Sequence, residues 1–201
     1  RPVIGWVHRR LARAKHVNRL VVATSNHVSD NPVDDYCRQV GIDCYRGSLD
    51  DVAERFEECI REEEAPSFIR VSGDSPLIDP DVVDGVAQLF LSSGCDLATN
   101  VQTRSFPKGQ SVEVLKSTVF IQARRSFRDE EDREHVTRYF YSHPRKIRMR
   151  NLLSVEMLPD LQLSIDVAED FEAIRQILRD AGGEVSWKEA ARLRLAMDDS
   201  C

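Results

Sequence analysis

The chain has 201 residues, enough for one domain of ordinary size with a substantial core. Charged residues make up 31% and hydrophobic residues 41%, with a formal net charge of −6, which argues against a general nucleic-acid binder. No apolar run approaches the ~20 residues of a membrane span, and five cysteines (Cys37, Cys44, Cys59, Cys95, Cys201) without a CxxC pair disfavour a disulfide framework or zinc site and suit a reducing cytoplasm.

In chain order, Pro2 to Lys15 reads as a helix with Val3, Ile4, Val7, Leu11 and Ala14 on one face. Leu20 to Thr24 is a buried strand ending in Thr24-Ser25-Asn26. Asn31-Pro32 starts a helix that Gly41 stops. Ile42 to Tyr45 is a short strand. Ser48 is expected to cap the next helix, whose inner face is Val52, Phe56, Cys59 and Ile60. Phe68 to Val71 is a strand that stops at Ser72-Gly73, with Asp74 directly after. Pro80 opens a helix to about Leu91, and Cys95 to Ala98 is a further strand. This alternation predicts an α/β fold with a mixed, mostly parallel sheet between helices.

The pattern then changes. A polar loop from Val101 to Gln110 leads to an alternating strand, Ser111 to Leu115, with Glu113 opposite Val112 and Val114. Helices are expected from Thr118 to Phe127 and from Asp129 to Ser142, and a basic strand from Lys146 to Leu153. This excursion, about 101–153, is expected to pack at one sheet edge and to build a homodimer. Leu161 to Ile165 returns to a strand followed by Asp166. A helix from about Ala168 to Asp180 buries Phe171, Ile174 and Leu178, and Ser186 to Glu189 is a capping box for the last helix.

Asp74 and Asp166 each follow a buried strand, where α/β sheets place their ligand crevice. If the two strands are neighbours the carboxylates converge. Two unit charges ~4 Å apart repel by roughly 4 kcal/mol at an effective dielectric near 20. A cation relieves that, and Mg²⁺ takes carboxylate and phosphate oxygens. Alternatively, Asp74 caps a turn and Asp166 caps a helix. In the run Arg133 to Tyr139, Glu134 and Arg138 stand at i,i+4 spacing and His135 shares a face with Tyr139, so a structural ion pair and a polar ligand patch both account for it. Arg104 and Lys108 are placed to join such a patch. Nucleophile, zincin, P-loop and dinucleotide motifs do not occur.

Six stretches stand in an order that resembles the CMP-sugar synthetase-like cytidylyltransferases, nearest the spore-coat-polysaccharide-biosynthesis type. They are Pro2-Val3-Ile4-Gly5-Trp6-Val7, Val21 to Ser25, Gly47 to Val52, Arg70 to Ile78, Arg133 to Thr137 and Ser164 to Phe171. The resemblance covers nearly the whole chain. It implies a nucleotide-diphospho-sugar transferase fold, as a single domain over 1–201, and transfer of CMP from CTP to a sugar hydroxyl with release of pyrophosphate. Asp74 and Asp166 would be the catalytic acids and hold Mg²⁺. Ala23, Thr24 and Ser25 would lie beside the cytosine, with Ser72 and Gly73 also on the nucleotide side. Gly109, Gln110, Glu113, Arg133, Glu134 and His135 would line the sugar side. Octulosonate and sialate synthetases have a basic residue where this chain has Asp51, so an acidic sugar does not follow. The family's first strand and RxGSxRxPGK-type loop do not stand in this sequence. Roughly 25–40 upstream residues are expected to carry them, and a chain starting at Arg1 is expected to fold imperfectly and not to turn over CTP. A metal-dependent glycosyltransferase of related fold and a non-catalytic nucleotide-binding relative are the rival readings.

Overall fold

The computed structural model describes residues 1–198; Cys201 lies outside the described residues. The chain opens with α1 (Val3–Leu11), then β1 (Val22–Ser25), α2 (Asn31–Val40), β2 (Cys44–Gly47), α3 (Val52–Glu62), β3 (Ser67–Arg70), α4 (Pro80–Ser93) and β4 (Leu97–Thr99). It continues with β5 (Glu113–Lys116), α5 (Ser117–Arg124), α6 (Glu130–Glu134), α7 (Arg138–Ser142), β6 (Met149–Asn151), α8 (Ala168–Asp180) and α9 (Trp187–Asp198). β1 and β2 pair in parallel as a sheet of their own. The other sheet has the order β3-β5-β4-β6. In it β5 runs antiparallel to both neighbours, while β4 and β6 are parallel.

The period-2 alternation of the strands divides the core into two layers. Ile69, Ala98 and Val114 face a cluster built from α1 and α4, around Val7, Val83, Val86 and Trp187. Phe68, Leu97 and Leu115 face the opposite cluster, with Ala53 and Ile60 of α3, Phe120 of α5 and Phe140 of α7. Helices thus cover both faces of a mixed sheet. A third cluster, Leu77, Leu163, Ile174 and Ile177, seats α8 under the turn that follows Asp74.

Several expectations change. The excursion does not as a whole pack at the edge: of its two strands β5 is central and β6 lies at an edge. Nor is it too polar for a core, because Phe120, Phe127, Val136, Tyr139 and Phe140 are buried in it. The helix expected from Asp129 to Ser142 is broken at His135, whose ψ of 73° is not helical. Arg138 therefore pairs with Asp129 and Asp132 on the preceding turn, not with Glu134. Asp51, not Ser48, caps α3, accepting from Glu54 N at 2.7 Å. Phe171 is 42% exposed instead of buried. The stretch Leu161 to Ile165 is held by one isolated parallel bridge, Lys108 to Gln162, rather than by a full strand. Among the described residues no helix is long and apolar enough to cross a membrane.

Candidate active site

Asp74 sits in the turn between β3 and α4, half-buried, with Ser75 Oγ donating to its Oδ1 at 2.8 Å. Its carbonyl oxygen accepts from Ile165 N at 3.0 Å, so the residue before Asp166 lies alongside it. The segments that carry the two acids are therefore joined by one backbone hydrogen bond, although only Asp74 follows a strand. Neither acid serves as a helix cap. Asp170, at the third position of α8, accepts from the backbone N–H groups of Asp166 and Val167, and the N-cap position is Val167. The Asp166 side chain instead accepts from Gln162 Nε2 at 2.9 Å and is exposed. Among the described residues no lysine, arginine or histidine forms an ion pair with either acid. No group of three or more metal-binding side chains occurs among them either.

A chain of buried polar contacts fixes this pair. Gln110 is fully buried and divides its amide: Oε1 accepts from Asp79 N at 2.9 Å and Nε2 donates to Leu77 O at 2.7 Å. Asn100 Nδ2 donates to Gln110 O, and its Oδ1 accepts from Val112 N, closing the loop from β4 to β5. Asp79 caps α4 and also accepts from Trp187 N at 2.8 Å. On the other side Lys108 N donates to Leu161 O, and Leu163 N donates to Lys108 O. Gly109 allows that approach. Its φ is +89°, and a Cβ there would lie 2.5 Å from the Leu163 carbonyl. Gln110 and Gly109 thus hold the acid-bearing segments together, and Gln110 does not line the cavity described next.

That cavity, of about 300 Å³, is lined by Arg70, Arg104, Ser111, Glu113, His135 and Tyr141 among others. Glu113 is 2% exposed, contrary to the outward position its alternation suggests. Its charge is answered from two sides. Arg70 Nη1 donates to Oε2 at 2.7 Å, and Tyr141 Oη donates to Oε1. Burial and the Glu113 carboxylate hold the Tyr141 phenol well above its ordinary pKa. The Thr99 hydroxyl lies 3.0 Å from Tyr141 Oη and completes the network. Of the triplet Arg133, Glu134 and His135, only His135 lines the cavity; Arg133 approaches Asp51 at 4.0 Å. Arg70 and Tyr141 escape a linear reading. Arg70 stands opposite Glu113 in the β3–β5 register, a cross-strand charge pair visible only once that pairing is known.

At the end of β1, Thr24 and Ser25 are organised by Asp30. Its Oδ2 accepts from Thr24 Oγ1 at 2.6 Å and from Ser25 N at 2.9 Å. Hydrogen bonds from Thr24 and then Ser25 hold the Asp30 carboxyl far below the usual carboxylate range. Arg46 of β2 clamps the same loop, donating to the carbonyls of Ser25 and His27 at 2.8 Å. Ala23 lies within β1, and Ser72 and Gly73 lie between β3 and Asp74.

The sequence model described as cytidylyltransferase matches residues 1–192. The chain belongs to the cytidylyltransferase family. It is a nucleotidyltransferase by that membership. It is 31% identical over 171 residues to the spore coat polysaccharide biosynthesis protein SpsF of Bacillus subtilis (strain 168), spanning 84% of this chain and 70% of that protein. A solved cytidylyltransferase from Leptospira borgpetersenii serovar Hardjo-bovis (strain JB197) superposes with a TM-score of 0.88 at 22% identity, over 98% of this chain and 83% of that one. The CMP:2-keto-3-deoxy-manno-octonic acid synthetase complexed with CTP superposes at 0.66 with 16% identity, over 90% and 89% of the two chains. At these identities the structural likeness establishes the fold, which is the nucleotidyltransferase arrangement that the resemblance implies.

Proposed function

We propose that this cytidylyltransferase transfers CMP from CTP to a hydroxyl of a sugar used in surface polysaccharide synthesis, releasing pyrophosphate, with Mg²⁺ held by Asp74 and Asp166. The observation that carries the reading is the Asp74–Ile165 backbone hydrogen bond, which joins the two acid-bearing segments, while among the described residues neither acid has a basic partner. Such a donor set suits a hard, oxygen-seeking cation. When bound, that ion would offset charge on the phosphate oxygens of the nucleotide. Likeness to SpsF supports the polysaccharide assignment, and likeness to the CTP-complexed synthetase supports CTP as donor.

The chain's own residues supply position. In this reading the loop after β1, fixed by Asp30 and Arg46, receives the cytosine beside Ala23, Thr24 and Ser25. Ser72 and Gly73 lie along the nucleotide where β3 ends. The cavity holding Glu113 and His135 receives the sugar, and Arg70 and Tyr141 keep the Glu113 carboxylate aimed. Gln110 and Gly109 act behind the site, holding its loops in register. The sugar oxygen would bond to the α-phosphorus of CTP as the bond to the departing pyrophosphate breaks, so catalysis is mainly a matter of alignment.

A homodimer belongs to the same reading. Leu153, Val155 and Met157 are 55%, 99% and 59% exposed, and they follow the edge strand β6 directly. An apolar stripe beside an open strand edge suits a second copy of this chain. The function is tested by pyrophosphate release from the protein with CTP, Mg²⁺ and a panel of sugars. Release that depends on both CTP and one sugar is expected. Release with UTP or ATP but not CTP would overturn it.

A further inference from the structure

Arg55, in the first turn of α3, is a cation without a counter-ion. Its Nη1 donates to the carbonyl of Ser48 at 2.7 Å. Its Nε is buried and has no hydrogen-bond partner. No carboxylate lies within ion-pairing distance of it among the described residues, and burial lowers its pKa, with only the more distant charge of Asp30 acting the other way. Removing a guanidinium from water without an anion is costly, so such a group is usually met by one in the working state of a protein.

Two features show that the side chain is held in place. Gly47 ends β2, and a Cβ at that position would stand 3.0 Å from Arg55 Cγ, so the missing side chain leaves room for the arginine stem. The Ser48 carbonyl then fixes one arm of the guanidinium, Nε is sealed from solvent, and Nη2 is left without a hydrogen bond. The other arginines with a buried unpartnered atom are differently placed. Arg124 is paired with Asp51 at 2.6 Å. Arg10 is sealed in the core, 2% exposed, where its Nε donates to Ile78 O at 2.6 Å and Asp79 is the nearest opposing charge. Arg55 stands at the ends of β1 and β2, on the side where Asp30 organises Thr24 and Ser25.

We propose that Arg55 is a nucleotide-binding residue whose free Nη2–H takes an anionic phosphate oxygen of the donor nucleotide. This rests on the cytidylyltransferase reading above and adds to it a phosphate contact supplied from α3. An anion fits better than a neutral base acceptor, because only an anion answers the uncompensated charge. The guanidinium, anchored through Nη1, presents Nη2 in a fixed direction, which a flexible lysine ammonium does not.

The test is calorimetry of CTP, CMP and cytidine binding to the parent protein and to the Arg55→Gln and Arg55→Lys variants, with Mg²⁺ present and at two salt concentrations. Expected is a loss of tenfold or more in CTP affinity for Arg55→Gln, a smaller loss for Arg55→Lys, and unchanged cytidine affinity. The parent's CTP affinity should also fall more steeply with salt than the variant's. Equal CTP affinity in parent and both variants overturns the inference, as does an equal loss for cytidine, which would put Arg55 on the base or ribose. A parent that binds neither CTP nor CMP overturns the cytidylyltransferase reading itself, and the inference with it. Unfolding midpoints of all three proteins are measured alongside, and Arg55→Lys keeps the charge if Arg55→Gln fails to fold.

Discussion

Ile165 donates its backbone N–H to the carbonyl oxygen of Asp74 at 3.0 Å, which makes neighbours of two acids 92 positions apart in sequence (166 − 74). Backbone thus joins the two segments, and among the described residues neither carboxylate forms an ion pair. Replacing either carboxylate should leave the fold intact. Asp74→Asn and Asp166→Asn are each expected to abolish the Mg²⁺-dependent part of CTP binding with little change in unfolding midpoint. The double variant should lose no more than the worse single one, because both groups serve one ion. Calorimetry with and without Mg²⁺ checks this; additive losses would assign the acids to separate tasks.

Gln110 is expected to matter for stability before it matters for chemistry. Gln110→Leu leaves Asp79 N and Leu77 O buried without partners, at a cost of about 2–4 kcal/mol in unfolding free energy. Urea titration reads the loss directly. A variant as stable as the parent would show that water replaces the amide.

Tyr141→Phe removes one hydrogen bond from the buried Glu113 and its contact with Thr99. A stability loss of about 1 kcal/mol is expected. Turnover at low acceptor concentration should fall while CTP affinity holds. A fall in CTP affinity of the same size would move this network to the nucleotide side.

The folded-state pKa of Asp30 lies below its unfolded value, so its contribution to stability is complete above about pH 4. That contribution is lost as the pH falls from there through the folded-state pKa. Asp30→Asn should therefore be less stable than the parent at pH 7, and the gap should narrow progressively below about pH 4. Thermal melts across pH 3–7 measure it, and a gap that stays constant over that range would remove Asp30 from the acid response.

Val155→Glu places a charge in the most exposed member of the stripe at positions 153 to 157. Light scattering is expected to report a dimer for the parent and a monomer for the variant at micromolar concentration. A monomeric parent would end the dimer proposal.

The elements legible in the sequence were those whose signals are local. Gly41 at the end of α2, Pro80 at the start of α4 and the Ser186 cap of α9 each stand where the residue type requires them. The span of α8 matches its apolar spacing, although Phe171 at its first turn is left partly in solvent. What was not legible depends on pairing. Nothing near Ser111 says that β5 enters the sheet between β3 and β4, so the burial of Glu113 and its meeting with Arg70 were hidden. The break at His135 was hidden for a related reason. The helical spacing of Glu134 and Arg138 is real, but Val136 and Phe140 are drawn into the core, and the chain turns to bury them. At the candidate site the place of Asp74 after β3 was legible, whereas Asp166 follows a segment held by a single bridge. Asp30, Arg46 and Tyr141, which hold other parts of the site, were not.

The central place of β5 has a consequence for synthesis on the ribosome. β3 and β4 never touch, and each must wait for residues 113 to 116 before its inner edge is paired. Until then a growing chain carries two open strand edges, one on either side of the gap that β5 will fill. The acidic run Glu62-Glu63-Glu64 just before β3 flanks that strand with like charge. Such a flank discourages two nascent chains from completing each other's sheet. Neutralising it should leave the finished enzyme little changed and should lower its soluble yield.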